Sequence, residues 1–188
     1  MKKIPVTLFS KLYFILLFSI SITGQTTYNI NNPLDLENNT YAAGDVIILA
    51  NGTYSSSQRI DFIGNGTASD PITFRAETPG GVKFTGGLQM NIGGDYVVVD
   101  GFHWQGGFGA SNFIQFRNNS DYAHHSTIQN CVIDGLTVSP DDLEPGTSVK
   151  HRWIVLYGTY NSVLNCSFLN KTNAGATVLV ELEYNASP

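Results

Sequence analysis

Val99-Asp100-Gly101-Phe102-His103-Trp104, Ile128-Gln129-Asn130-Cys131-Val132-Ile133 and Val163-Leu164-Asn165-Cys166-Ser167-Phe168 are three versions of one hexad. Each reads aliphatic, any residue, Gly or Asn, Phe or Cys, any residue, apolar. Their third positions lie 29 and 35 residues apart. A repeat of this length marks a solenoid, in which no unit can bury its apolar face alone and each leans on its neighbours. The two steps are unequal and exceed one bare coil, which predicts inserted loops at Phe108 to Ser111 and Leu136 to Val149. Equivalent positions should then form ladders. Asn130 and Asn165 are expected to stack at a bend, where Asn tolerates a left-handed backbone and its amide bonds along the stack, with Asn165 pointing inward. Cys131 and Cys166 are expected beside them as buried thiols.

Working outward, short apolar runs recur: Val46-Ile47-Ile48-Leu49, Ile72-Thr73-Phe74, Val82-Lys83-Phe84, Tyr96-Val97-Val98-Val99, Phe113-Ile114-Gln115-Phe116 and Trp153-Ile154-Val155-Leu156. Gly, Asn, Asp, Ser and Thr separate them, which is strand grammar. Helical periodicity is nearly absent, and few two-residue hairpin turns join the runs. The reading is an all-β chain folded as a right-handed single-stranded parallel β-helix. A jelly-roll or sandwich carbohydrate-binding module is the competing all-β arrangement.

The first residues have a different character. Lys2, Lys3 and Lys11 precede an apolar run from Leu12 to Ile22, and a small residue, Gly24, precedes Gln25. This is the pattern of a secretory signal peptide over residues 1–24, leaving 25–188 as the β-helix. A secreted or periplasmic location follows, with no membrane attachment after cleavage. The whole chain has 10 Lys+Arg against 15 Asp+Glu. Loss of the three leader lysines leaves 7 basic and 15 acidic residues, a net charge near −8. That acidity argues against nucleic acid as a partner. It also means that an anionic polymer can bind only where basic groups gather.

Three stretches carry a more specific signal. The first is Ala43-Gly44-Asp45-Val46-Ile47-Ile48-Leu49-Ala50-Asn51-Gly52-Thr53-Tyr54, which looks like the opening coil of secreted β-helices. The second is Asp70-Pro71-Ile72-Thr73-Phe74-Arg75-Ala76-Glu77-Thr78-Pro79-Gly80-Gly81-Val82, followed by Phe84-Thr85-Gly86. The third is Trp153 to Gly158 with Asn165 to Phe168 and Lys171-Thr172-Asn173-Ala174-Gly175. Together, over roughly Gly44 to Val180, they resemble polysaccharide lyase family six, the alginate lyases and chondroitinase B. The resemblance implies an anionic polysaccharide, alginate or a glycosaminoglycan, as partner, with alginate favoured. It implies cleavage by β-elimination, a lysine base, an arginine acid and a calcium ion (Ca2+) that neutralises the uronate carboxylate. No segment matches the motifs that carry that lysine, that arginine and the calcium ligands, so no catalytic residue and no metal ligand is assigned. The chain reads as the N-terminal part of such a lyase, truncated at its C-terminus and inactive by itself. A non-catalytic carbohydrate-binding or adhesin-like β-helix is the alternative.

Lys171, Asn173 and Arg152 are the candidate substrate-binding residues. Lys171 follows a strand and is suited to meeting a carboxylate beside Asn173, or is a solvated turn lysine. Arg152 belongs with Lys150 and His151 to a basic cluster in an acidic chain, which fits contact with an anionic sugar or an ordinary solvated loop. Asp141, Asp142 and Glu144 lack a recognisable calcium-ligand spacing and read as an acidic loop. Glu181 and Glu183 alternate on a strand, facing a groove or solvent. His103, His124 and His125 show no metal spacing and read as surface or packing residues. Trp104 and Trp153 fit core packing better than sugar stacking.

Overall fold

The computed structural model describes residues 24–109, 111–139 and 151–181. The signal segment falls almost wholly outside the described residues, as do Asp141, Asp142, Glu144, Lys150 and Glu183. Strands of four or fewer residues dominate, joined by corners that need a left-handed backbone.

Three parallel sheets form the walls. The first holds β1 (Thr27–Ile30), β2 (Val46–Leu49), β5 (Ile72–Ala76), β8 (Val97–Asp100), β13 (Thr127–Gln129) and β16 (Ser162–Leu164) in that order. The second holds β3 (Gly52–Tyr54), β6 (Val82–Phe84), β9 (Phe102–Gln105), β14 (Val132–Asp134) and β17 (Ser167–Leu169). The third stacks β4 (Arg59–Asn65), β7 (Gln89–Asp95), β10 (Asn112–Gln115), β15 (Arg152–Leu156) and β18 (Val178–Val180). From β2 onward the chain visits the sheets in rotation, so each circuit is one coil, and parallel pairing in register stacks the coils. This is a parallel β-helix, with the right hand that crossover connections take.

One insertion breaks the rotation. Between β10 and the next coil the chain makes a hairpin, β11 (Arg117–Asn118) with β12 (Asp121–His124), the one antiparallel pair among the described strands. β12 then rejoins the third sheet beside β7.

The hexads are the corner between the first and second sheets. Gly101, Asn130 and Asn165 hold its left-handed position at φ 82°, 53° and 51°. Asn165 donates to the Asn130 amide oxygen at 3.5 Å, and Asn130 donates to Asp100 at 2.8 Å. The asparagine ladder is therefore present, but both side chains are exposed, so the expected inward direction is wrong. A left-handed corner residue turns its side chain away from the cylinder. The next position points inward: Cys131 is buried and Cys166 half-buried on the neighbouring coil, both free thiols. The sixth hexad positions Trp104 and Ile133 are fully buried.

Aromatic rings fill the cylinder. Phe62, Phe74, Phe102, Phe84 and Trp104 form a continuous stack with ring centroids 4.6–5.6 Å apart. Trp104 and Trp153 are both sealed in the interior, each donating its indole N–H to a carbonyl, Leu88 and Leu136 at 3.0 Å. At the N-terminal end a 3-10 turn, Pro33–Asn38, lays Leu36 and Tyr41 over the first coil. At the other end Leu164, Leu169 and Val180 are exposed, at 48%, 47% and 67%.

Candidate functional site

Among the described residues, the outer face of the third sheet carries the largest set of connected polar side chains. β4 and β7 read Arg59-Ile60-Asp61-Phe62 and Gln89-Met90-Asn91-Ile92, so alternate residues face in and out. Register aligns Asp61 with Asn91 and Asn91 with Gln115. Asn91 sits at the centre. Its amide nitrogen donates to Asp61 at 2.7 Å, and its oxygen accepts from Gln115 at 2.7 Å and from Arg59 at 3.0 Å. Arg59 also donates to the Gln89 side chain and to the Asn112 carbonyl, the latter at 2.7 Å. Asn118, on the hairpin, reaches back to the second oxygen of Asp61 at 2.9 Å. Glu37 accepts from the Asp61 amide at 2.7 Å. Asn91 and Gln89 are buried at 6% and 8% exposure, so this network is ordered rather than loosely solvated. Burial pushes the Arg59 guanidinium below its ordinary value, and Asp61 opposes the shift.

Toward the C-terminal coils the same face becomes cationic and aromatic. Arg117 lies over the Tyr157 ring, its guanidinium carbon 4.3 Å from the centroid. Tyr122 packs on Tyr157 with centroids 6.0 Å apart. The Tyr157 hydroxyl donates to Glu181 at 3.3 Å. Burial raises the Tyr157 pKa, with Arg117 acting against it and Glu181 with it. A concavity of about 420 Å³ beside this hairpin is lined by Asn65, Asp121, Tyr122 and His124, among others.

Lys171 and Asn173 do meet. The Lys171 ammonium donates to the Asn173 side-chain oxygen, to the His151 carbonyl at 3.0 Å and to the Asn173 carbonyl at 3.4 Å. It also lies 5.2 Å from the centre of the Trp153 ring. An ammonium has three protons, and all three have acceptors within the protein. Burial lowers its pKa. The pair ties the turn after β17 to the chain entering β15. Arg152 is one residue further on, at the start of β15, and joins the polar face instead, donating to Asn112 at 3.3 Å.

His124 and His125 hold corners of the coils. His125 is sandwiched between Tyr96 and Tyr160 at a corner, both centroid distances being 4.7 Å. His124 bonds the Thr159 hydroxyl at 2.9 Å. Among the described residues no three His, Cys, Asp or Glu side chains converge as metal ligands, so none of them fits a calcium site and no chemistry here is routed through calcium.

The polar rows escaped the sequence reading. Their signal was present as alternation in Arg59 to Phe62 and Gln89 to Ile92, but which polar positions align depends on a coil register that no motif marks. Arg117 and Tyr157 lie 40 residues apart and meet only through stacking.

Comparison with known proteins agrees with this geometry. The family model described as Chondroitinase B matches residues 30–187. No curated protein matches the chain. Among solved structures, a mannuronic acid specific polysaccharide family 6 lyase from human gut microbiota superposes with a TM-score of 0.77 at 28% identity, covering 86% of this chain and 38% of that one. The PL6 family alginate lyase AlyGC gives 0.65 at 30% identity, covering 82% of this chain and 21% of that one. The PL6 family lyase Pedsa3628 from Pseudopedobacter saltans gives 0.57 at 23% identity, with 85% and 39% covered, and supports the fold alone. The chain thus spans well under half the length of these lyases. With the family model matching from β1 to beyond β18, this chain belongs to the chondroitinase B family of polysaccharide lyases.

Proposed function

We propose that this chain forms the N-terminal coils of an exported lyase that cleaves a uronic-acid polymer, alginate before chondroitin. The outer face of the third sheet is where the polymer lies. The observation that carries this reading is the superposition on the mannuronate-specific lyase over 86% of the chain. The ordered polar face supports it further: carboxylate and amide groups in register across β4, β7 and β10, with Arg59 bonded to them, suit a chain of hydroxylated, anionic sugars.

In β-elimination a base removes the proton on the carbon beside the uronate carboxyl. The glycosidic oxygen leaves and takes a proton. That step requires neutralisation of the carboxylate as charge develops. The residues described here bind and orient; the base, the acid and the calcium ligands lie outside these coils. Support for this division comes from Lys171, whose protons are all committed to internal acceptors. The N-terminal lysines and apolar run direct export to a secreted or periplasmic location.

The product of β-elimination is a conjugated unsaturated uronate that absorbs in the near-ultraviolet. Purified protein incubated with alginate, and separately with dermatan sulfate, both with calcium, should bind polymer and give a flat absorbance trace. A steady rise abolished by Lys171→Ala would place the base within this chain and overturn the division proposed.

A further inference from the structure

Arg117 differs from the other basic side chains on and around the third sheet. Arg59 and Arg152 donate to acceptors of the polar face, and Lys171 is fully engaged at its turn. Arg117 makes no side-chain hydrogen bond among the described residues. Its Nε is sealed from solvent with no acceptor, and neither terminal nitrogen donates a hydrogen bond to a described residue. An arginine held this way is placed with its donors unspent.

The placement is built, not incidental. The hairpin that carries Arg117 is pinned at three points. Ala123 donates to the Phe116 carbonyl at 2.9 Å, Arg117 pairs with Tyr122, and Asn118 bonds Asp61 two coils back. The Tyr157 ring beneath the guanidinium is only 6% exposed and is itself held by Tyr122 and Glu181. A planar guanidinium laid on an aromatic ring keeps its edge free to take a carboxylate through two parallel N–H bonds.

We propose that Arg117 is a carboxylate-binding position for one uronate unit, gripped end-on by the two terminal nitrogens while Tyr157 holds the guanidinium plane. This rests on the polymer-binding reading above and adds to it a residue and a ligand group. The site continues the polar rows toward the C-terminal coils. The Asp61, Asn91 and Gln115 row would meet sugar hydroxyls, and Arg117 the acidic substituent. Glu181, bonded to the Tyr157 hydroxyl, is the acidic group beside the site.

The test is the affinity of the whole protein for oligomannuronate and for its methyl ester, measured by calorimetry at low ionic strength. Arg117→Gln should bind the acid about tenfold more weakly and the ester as the parent does. Arg117→Lys should also lose affinity for the acid, because a point charge lacks the fork, and this variant carries the test if Arg117→Gln melts early. Equal affinity of all three proteins for the acid would overturn the subsite and leave the family reading intact. Equal losses for acid and ester would overturn the carboxylate assignment. Failure of the parent protein to bind any uronate polymer would overturn both the subsite and the polymer-binding reading.

Discussion

Replacing Arg59 by Met tests whether the polar face is a rigid surface. Met keeps most of the apolar stem and removes the guanidinium. Three acceptors lose a donor: the Asn91 and Gln89 side-chain oxygens and the Asn112 carbonyl. Asn91 keeps its bond from Gln115, so its loss is small. Gln89 and the Asn112 carbonyl are left without that donor on a face where Gln89 is 8% exposed. A buried polar group stripped of its partner costs about 1–3 kcal/mol, so the two together cost about 3 kcal/mol. For a domain of this size each kcal/mol lowers the melting temperature by about 2–4 °C, giving a drop of about 6–12 °C. Differential scanning calorimetry of the parent and Arg59→Met reads it directly. A drop below about 2 °C would mean that water replaces the guanidinium freely, and that the face is not ordered by this network.

Other consequences follow from particular contacts. Phe102→Ala, in the centre of the aromatic stack, should cost about 3–5 kcal/mol by denaturant unfolding; a loss under 1 kcal/mol would contradict the packing. Asn130→Ala should cost about 2 kcal/mol, since it loses the bond to Asp100 and keeps a φ of 53°, while Asn130→Gly should cost less; equal losses would remove backbone strain from the account. The two thiols should differ in reactivity. Burial holds the Cys131 thiol well up, whereas the bond from Cys131 brings Cys166 down to about 7. Alkylation should therefore modify Cys166 first, at a rate that climbs through pH 7, and faster labelling of Cys131 would refute the arrangement. Burial and the Lys83 charge lower the His103 pKa. The unfolded chain then binds this proton more readily, so the contribution is intact above about pH 6.5 and stability falls as pH drops below it. His103→Gln should flatten that slope in melts between pH 7 and 5.

The coil architecture was legible because its corners are chemically restrictive. At the corner between the first and second sheets the left-handed position is held by Gly or Asn and the residue after it is buried or half-buried, so the hexad recurs at Gly101, Asn130 and Asn165. Side-chain direction at that corner was not legible. The same left-handed backbone that selects Asn turns it outward, which periodic reasoning about strands does not anticipate. Tyr96 shows the converse: it begins an apolar run, yet at φ 49° it is a corner residue stacked on His125. β4 and β7, at seven residues each, were missed because their outer positions are polar and their ends carry Gly64, Gly93 and Gly94. Lys171 and Asn173 were legible as neighbours, two residues apart in a turn. That the ammonium points to the His151 carbonyl depends on where the next coil passes.

Hydrogen exchange of the protein with and without oligomannuronate, resolved to individual amides, tests the central claim most directly. Added protection is expected on β4, β7, β10 and the Arg117–His124 hairpin. The second sheet, including β9 and β14, should be unchanged. Protection confined to the second sheet, or spread evenly over all three walls, would contradict it.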